Sequence, residues 1–456
     1  MTAKFAGRFS LLQTSFLIWV ALYSCEAVAE SVFTPILGGK LAYLEAEVAD
    51  MDESGTASVI SPGFEYQLST PRTDLSLNYR IDSIQYSGLD REDRNVPYMT
   101  LNSEFSHDSG GRWKSQIYGS IDQADSSVDG ILSNRDEIFN DQTEELRIAR
   151  ARTSRRGQFG PQVQFLANLG VDTVDFEDSE DTRGADLGFS IDNYLSTNAF
   201  TWSGSLTREV VKSDDGNEDS EINTADVNLN YRLSYRWQVF TNLRQTDTDD
   251  DELDEDRTLV GVLWTPKPST FLRLGTGKLG DSDIYELDAE TRTRKVRFNA
   301  SYTEEITTAR RDTVDALNQG AFVGTVNPQS VSSRPVVQQR TDISAVVEGV
   351  RSDFTVNLYD YNRDDVVFTE EEEGTGFELI FSRRLPRESS LEIGLFGERY
   401  RLVQTNELLE LGVKYRRQQS KYVELATGVL FSRQDSDVPE NEYKQAQIIL
   451  SAVAKF

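Results

Sequence analysis

The stretch from Tyr443 to Phe456 follows a period-2 pattern toward its end. Ile448, Leu450, Ala452, Ala454 and Phe456 fall on one parity, and Gln447, Ile449, Ser451, Val453 and Lys455 on the other. An extended strand sends successive side chains to opposite faces, so this segment is a strand with one wholly apolar face that ends on an aromatic.

The same period recurs from about residue 36 onward, with no long helical segment between. Leu75, Leu77, Tyr79 and Ile81 alternate with Asp74, Ser76, Asn78 and Arg80. Val227, Leu229 and Tyr231 alternate with Asp226, Asn228 and Arg232, and Leu409, Leu411, Val413 and Tyr415 with Glu410, Gly412, Lys414 and Arg416. Tight connections are expected near Thr70-Pro71, Gly110-Gly111, Arg156-Gly157, Ser196-Thr197, Ser234-Tyr235, Lys267-Pro268, Thr291-Arg292, Arg351-Ser352, Pro386-Arg387 and Gln419-Ser420. Between them lie longer, mostly acidic links, such as Asp50 to Gly55, Ala124 to Thr143, Asp247 to Asp256 and Thr308 to Arg340; those near Gly280 and Thr405 are short.

Short turns at one end and long loops at the other organise a transmembrane, antiparallel, up-and-down β-barrel. The segments number about 22, an even count, with roughly 18 to 24 compatible with the pattern. The fold class is therefore all-β, with short periplasmic turns and long acidic extracellular loops. The apolar C-terminal strand ending at Phe456 resembles the assembly signal of bacterial outer-membrane barrels, carried here by Tyr443, Ile448, Leu450 and Phe456. The mature region has no apolar run of about 18 residues, so it has no transmembrane helix. A mean hydropathy of -0.49 does not oppose a barrel, because half of each strand faces a polar lumen.

The formal charge of -29 excludes a nucleic-acid partner, whose phosphates require Lys and Arg. Residues 1–29 read as a secretory signal: Lys4 and Arg8, then an apolar core from Leu11 to Tyr23, then Ala27-Val28-Ala29 before the cut. A competing lipoprotein reading rests on Leu22-Tyr23-Ser24-Cys25. Residues 30–456 form one barrel domain. No plug domain is visible, because alternation begins almost directly after the signal. The destination is the outer membrane of a Gram-negative bacterium, with lipid, lipopolysaccharide and the barrel-assembly machinery as partners.

Aromatics near strand ends, among them Tyr79, Trp202, Tyr231, Trp237, Tyr302 and Tyr415, are expected on the outer belt. The alternation assigns Arg80, Arg147, Arg232, Arg244, Arg297, Lys414 and Arg416, with Glu65, Glu410 and Glu424, to the lumen, where charge sets selectivity. Both signs occur, so no anion or cation preference follows. Tyr118 and Tyr359 join them as groups able to contact carbohydrate.

His107 is the single histidine and has no nucleophile motif beside it, so no catalytic set is expected. No cofactor site is expected either. The acidic runs, such as Asp247 to Asp256, lack the spacing of a calcium-binding loop; they read as hydrated loops, or as groups that meet bridging divalent cations. The stretch 308–340 is the longest link and would narrow the pore if folded inward.

Leu263-Trp264-Thr265-Pro266-Lys267-Pro268 leading into Phe271 to Gly277, then Arg292-Thr293-Arg294 and Asn299 to Thr308, carries a more specific likeness. This succession, with Ser61-Pro62-Gly63-Phe64 and Arg72 to Tyr86, resembles the β-barrel porin family associated with exosortase/PEP-CTERM exopolysaccharide systems. The resemblance covers about half of the mature chain and departs from the family at Ser269-Thr270 and Thr276-Gly277. It implies an outer-membrane channel for export or surface display of an extracellular polysaccharide, with periplasmic export components as partners. A general diffusion porin with no polysaccharide role is the alternative.

Overall fold

A computed structural model describes residues 30–48, 51–89, 91–107, 112–125, 143–176, 182–193, 199–213, 220–248, 255–308, 335–364, 371–401, 405–438 and 442–456. The expected signal, the centre of the long 308–340 link and most of the acidic runs lie outside them. The chain forms 22 strands. The first eight are β1 (Glu30–Val48), β2 (Met51–Ser69), β3 (Thr73–Ser87), β4 (Arg94–Ser106), β5 (Trp113–Asp125), β6 (Thr143–Phe159), β7 (Val163–Phe176) and β8 (Thr182–Asp192). Then come β9 (Phe200–Ser213), β10 (Ser220–Arg232), β11 (Trp237–Thr248), β12 (Glu255–Lys267), β13 (Thr270–Leu279), β14 (Ser282–Arg292) and β15 (Val296–Thr308). The last are β16 (Pro335–Glu348), β17 (Ser352–Asp364), β18 (Glu371–Leu385), β19 (Ser389–Arg401), β20 (Thr405–Ser420), β21 (Val423–Ser436) and β22 (Tyr443–Lys455).

Every strand pairs antiparallel with its sequence neighbours, and β1 pairs with β22 from Ile36↔Lys455 to Val48↔Tyr443. The Phe456 N–H donates to the Pro35 carbonyl at 3.0 Å, extending the seam to the last residue. The sheet is thus closed. Strands spaced about 4.8 Å apart and tilted about 40° close to a backbone cylinder about 44 Å across. Several expected boundaries shift. The β6–β7 turn lies at 160–162, so Gly157 is inside β6, and β1 and β2 form a hairpin that runs to Val48 and Met51 instead of ending in a long link at Asp50 to Gly55. Arg340, placed by the sequence at the end of the longest link, belongs to β16.

The two faces of the sheet differ as the alternation requires. One carries the exposed large apolar side chains, including Leu41, Ile60, Leu206, Val260, Leu409, Leu425 and Leu450. The other carries buried Asp82, Asp226, Asn242, Arg257, Glu410 and Gln447. The concave side of a closed sheet crowds side chains together, so the polar face is the lumen and the apolar face meets lipid. At the end with the short turns, the outer face carries adjacent rings: Phe33 with Phe64 at 5.4 Å, Phe159 with Phe165 at 4.8 Å and Trp237 with Trp264 at 5.8 Å. This is an aromatic girdle at the headgroup level. Register puts Tyr79, Trp202, Tyr231, Trp237, Tyr302 and Tyr415 on that outer face.

In bilayers, Leu450→Arg on the lipid face is expected to destabilise the barrel by about 2–4 kcal/mol, the cost of a cation near the membrane midplane. Ser451→Arg, one residue on and facing the lumen, is expected to cost well under half of that. Urea titration of folded protein in vesicles, read by gel migration without boiling, measures both.

Candidate functional site

The lumenal wall of β1–β6 holds two adjoining recesses. The first, about 420 Å³, is lined by Lys40, Glu65, Asn78, Arg80, Tyr98 and Lys455 at the closing seam. At Gly63 the backbones of β2 and β3 approach closely: a Cβ there would sit 2.4 Å from the Tyr79 carbonyl oxygen. Lys455 Nζ donates to Glu65 Oε1 at 2.7 Å. The Arg80 guanidinium lies 2.8 Å from Asp82 and 4.3 Å above the Tyr98 ring, so the ring and the carboxylate together fix its plane. The second recess, about 570 Å³, is lined by Asn102, Glu104, Gln116, Tyr118, Arg150 and Arg152. Glu104 accepts from Lys114 and, at 3.1 Å, from Gln116 Nε2. Arg150 and Arg152 reach Asp186 at 3.8 and 3.5 Å.

On β10–β14 the inward rows build a tighter network. Asn242 Nδ2 donates to Asp226 at 2.7 Å, and Arg244 Nε to the same carboxylate at 3.3 Å. Glu286 takes Arg257 at 3.0 Å and also pairs with Arg273, whose guanidinium stacks 3.9 Å over Phe240. Burial makes this arrangement sensitive to any lost partner, because an unpaired charge there keeps its desolvation cost.

On β16–β21, Tyr359 and Tyr361 lie flat against the wall over Gly376 and Gly374. A Cβ on either glycine would meet its ring at 2.3 Å. Only glycine allows so close an approach. Tyr400 and Leu408 are buried beside them, with Phe396 and Tyr443 packed alongside. Arg363 pairs with Glu372 at 3.2 Å, and Asn357 donates to Glu378 at 2.8 Å. Glu410, 2% exposed, accepts from the Ser432 hydroxyl at 3.3 Å.

Register places Arg232, Arg297, Lys414, Arg416 and Glu424 on the inward face near the turn end. Arg297 meets Glu348 at 3.3 Å, and Lys414 stands opposite Glu392. One expectation is corrected. Arg147 shares the outward face with Ala149 and Ala151, paired to Glu145, because those alanines mark the lipid-facing parity of β6. Tyr443, named with Ile448, Leu450 and Phe456 in the C-terminal signal, lies on the opposite parity from those three and faces inward. Arg150, Arg152, Asp186, Arg257, Arg273 and Glu286 were missed. For the first two, the parity of Ala149 and Ala151 held the signal; for the others, only cross-strand register brings the charges together.

His107 has a neighbour that the sequence did not reveal. Its Nε2 lies 2.7 Å from Ser115 Oγ, which donates to Thr153 Oγ1 at 3.1 Å, and Trp113 Nε1 donates to the same hydroxyl at 3.0 Å. With the His107 and Trp113 rings 5.1 Å apart, this chain ties the β4–β5 turn to β6 at the girdle.

No family model matches the sequence, and no curated protein matches it. In structure, the chain is similar to a variant of the ferric enterobactin receptor of Pseudomonas aeruginosa in complex with enterobactin. That likeness has 10% identity and a TM-score of 0.52, and covers 94% of this chain and 82% of that one. It is also similar to the siderophore receptor PirA from Acinetobacter baumannii, at 8% identity and a TM-score of 0.51, over 92% of this chain and 80% of the other. At such identities the likeness is one of fold.

Glu286→Ala strands two guanidiniums and is expected to cost about 3–5 kcal/mol. Arg297→Ala at the half-exposed pair with Glu348 is expected to cost about 1 kcal/mol or less. Denaturant midpoints of the refolded barrel compare the two.

Proposed function

We propose that this outer-membrane barrel is a porin-like, passive conduit for export or surface display of an extracellular polysaccharide, its residues 1–29 being removed on export. The observation that carries this reading is the pair of adjoining recesses on β1–β6. Amides, hydroxyls, two tyrosine rings and both signs of charge line them. Sugar hydroxyls exchange hydrogen bonds with amides and carboxylates, uronate carboxylates pair with guanidinium forks, and apolar sugar faces stack on rings. The likeness of Leu263 to Gly277 and Asn299 to Thr308 to the exosortase-associated porin family agrees with it. A width of about 44 Å between backbones accommodates a hydrated polymer. The chemistry is binding and passage, with no bond made or broken by the barrel.

Ferric-siderophore uptake is a second reading, favoured by the fold shared with the ferric enterobactin receptor. General diffusion is a third. Planar-bilayer conductance separates them. A uronate-containing oligosaccharide is expected to produce discrete, concentration-dependent blockade. Tyr118→Ala with Arg152→Ala is expected to shorten the blockade dwell time about tenfold, roughly 1.4 kcal/mol. Conductance unaffected by any oligosaccharide returns the reading to general diffusion. Blockade by a ferric catecholate alone favours uptake.

A further inference from the structure

Charge in this barrel is sorted along its axis. The links between strands at the loop end are acidic in sequence, Asp247 to Asp256 among them. The short turns at the other end are basic. Arg294 and Lys295 in the β14–β15 turn, Arg351 in β16–β17, Arg387 in β18–β19 and Lys421 in β20–β21 are all exposed, against Glu388 as the acid of these four turns. Arg292 and Arg297 stand directly opposite each other beside the first of them. Like charges at opposed positions destabilise a sheet, so packing alone does not account for this accumulation.

The basic end continues into the lumen as one row across six strands. Register aligns Arg384 on β18, Ser390 on β19, Arg416 on β20, Ala426 on β21, Ser451 on β22 and Lys40 on β1. All six have the inward parity. Arg384 lies one residue from the end of β18, whereas Lys40 lies near the middle of β1 and lines the recess at the closing seam. The row therefore leads from the turn-end mouth to that recess. Ser390, Ala426 and Ser451 are small, so the three cations stand over a shallow floor. Arg384 and Arg416 are exposed, and neither is ion-paired among the described residues. Lys40 is 3.8 Å from Asp82. One rung toward the loops Lys414 is matched by Glu392, and one rung toward the turns lies Glu424, so the row keeps a positive excess.

We propose that this row is the entry track for a polyanionic polysaccharide, one that carries an acidic group on its repeating unit. The proposal rests on the conduit reading above and adds to it the charge of the cargo and the end from which it enters. Adjacent strands lie about 4.8 Å apart, so the five intervals from Arg384 to Lys40 span about 24 Å. A single small anion reaches only part of that length. A polymer with a charge at each repeat engages all three cations at once, and each contact raises the effective concentration for the next. Guanidinium forks suit carboxylate and phosphate oxygens. The inward parity of the row excludes membrane lipid as its occupant. A polyanion is attracted at the turn end and repelled by the acidic loop end, and in a barrel with short periplasmic turns this favours entry from the periplasm. Both signs line the lumen as a whole; their separation along the axis gives the preference.

The test is planar-bilayer recording of the full barrel, with decagalacturonate or the neutral maltodecaose added to each side in turn. At low salt, decagalacturonate is expected to block from one side about tenfold more often than from the other, and about tenfold more often than maltodecaose from that same side. R384Q with R416Q is expected to lower the frequency on the favoured side about tenfold, which identifies that side as the turn end. Raising salt from about 0.1 M to about 1 M shortens the Debye length from about 10 Å to about 3 Å and is expected to abolish the asymmetry in wild-type protein. Heat-modifiable gel migration monitors the fold of the variant, and the wild-type comparison of sides and charges stands without it. Equal blockade by the charged and neutral oligosaccharides, equal blockade from the two sides, or an unchanged frequency in the double variant overturns the entry track while the conduit reading stands. No blockade by either oligosaccharide overturns that reading as well.

Discussion

Hydrocarbon offers no hydrogen bonds, so a sheet that enters it must leave no open edge. The seam between β1 and β22 meets that requirement, running from Val48↔Tyr443 to the bond between the Phe456 N–H and the Pro35 carbonyl. Strand number, lumen width and the division into two faces all follow from closure. An edge left unpaired inside the bilayer would cost several kcal/mol for each exposed group.

Closure also determines what the interior needs. A cylinder of this width cannot be filled by side chains meeting across its axis, so each inward group finds partners along the wall. Asp226 with Asn242 and Arg244, and Glu286 with Arg257 and Arg273, are such lateral networks. The tyrosines over Gly374 and Gly376 do the same by packing, since each ring covers a glycine on the neighbouring strand. The result is a polar wall with recesses on β1–β6. Outside, the same alternation presents leucine, valine and aromatic rings, then changes to charge near the loops.

Much of this was legible in the sequence. Period-2 alternation, an apolar last strand and links that alternate in length specify a barrel, and the expectation of about 22 strands agrees with the 22 found. Parity within a strand puts Arg80, Arg244 and Glu410 on the face opposite their apolar neighbours, and the register keeps them there. It misplaced Arg147, where Leu146 and Ile148 are inward apolar residues packed in the wall near its loop end and imitate a lipid face. Contacts such as His107 with Ser115, or Arg257 with Glu286, depend on register between strands. A single sequence does not record that register. The row from Arg384 to Lys40 was hidden for the same reason: its members come from six strands.

The central claim is that the first and last strands meet in the membrane-embedded protein. Gly39 and Ala452 are direct cross-strand partners on β1 and β22. Opposed residues in antiparallel strands have Cα atoms about 4.5–5.5 Å apart, within disulfide range. A Gly39→Cys, Ala452→Cys variant with Cys25→Ser should cross-link under mild oxidation in isolated outer membranes, giving a faster-migrating band after boiling that reverts on reduction. The account predicts near-complete cross-linking for this pair and none when Ala452→Cys is combined instead with Val260→Cys across the barrel. Failure of the seam pair to cross-link in folded, membrane-extracted protein would contradict a closed barrel.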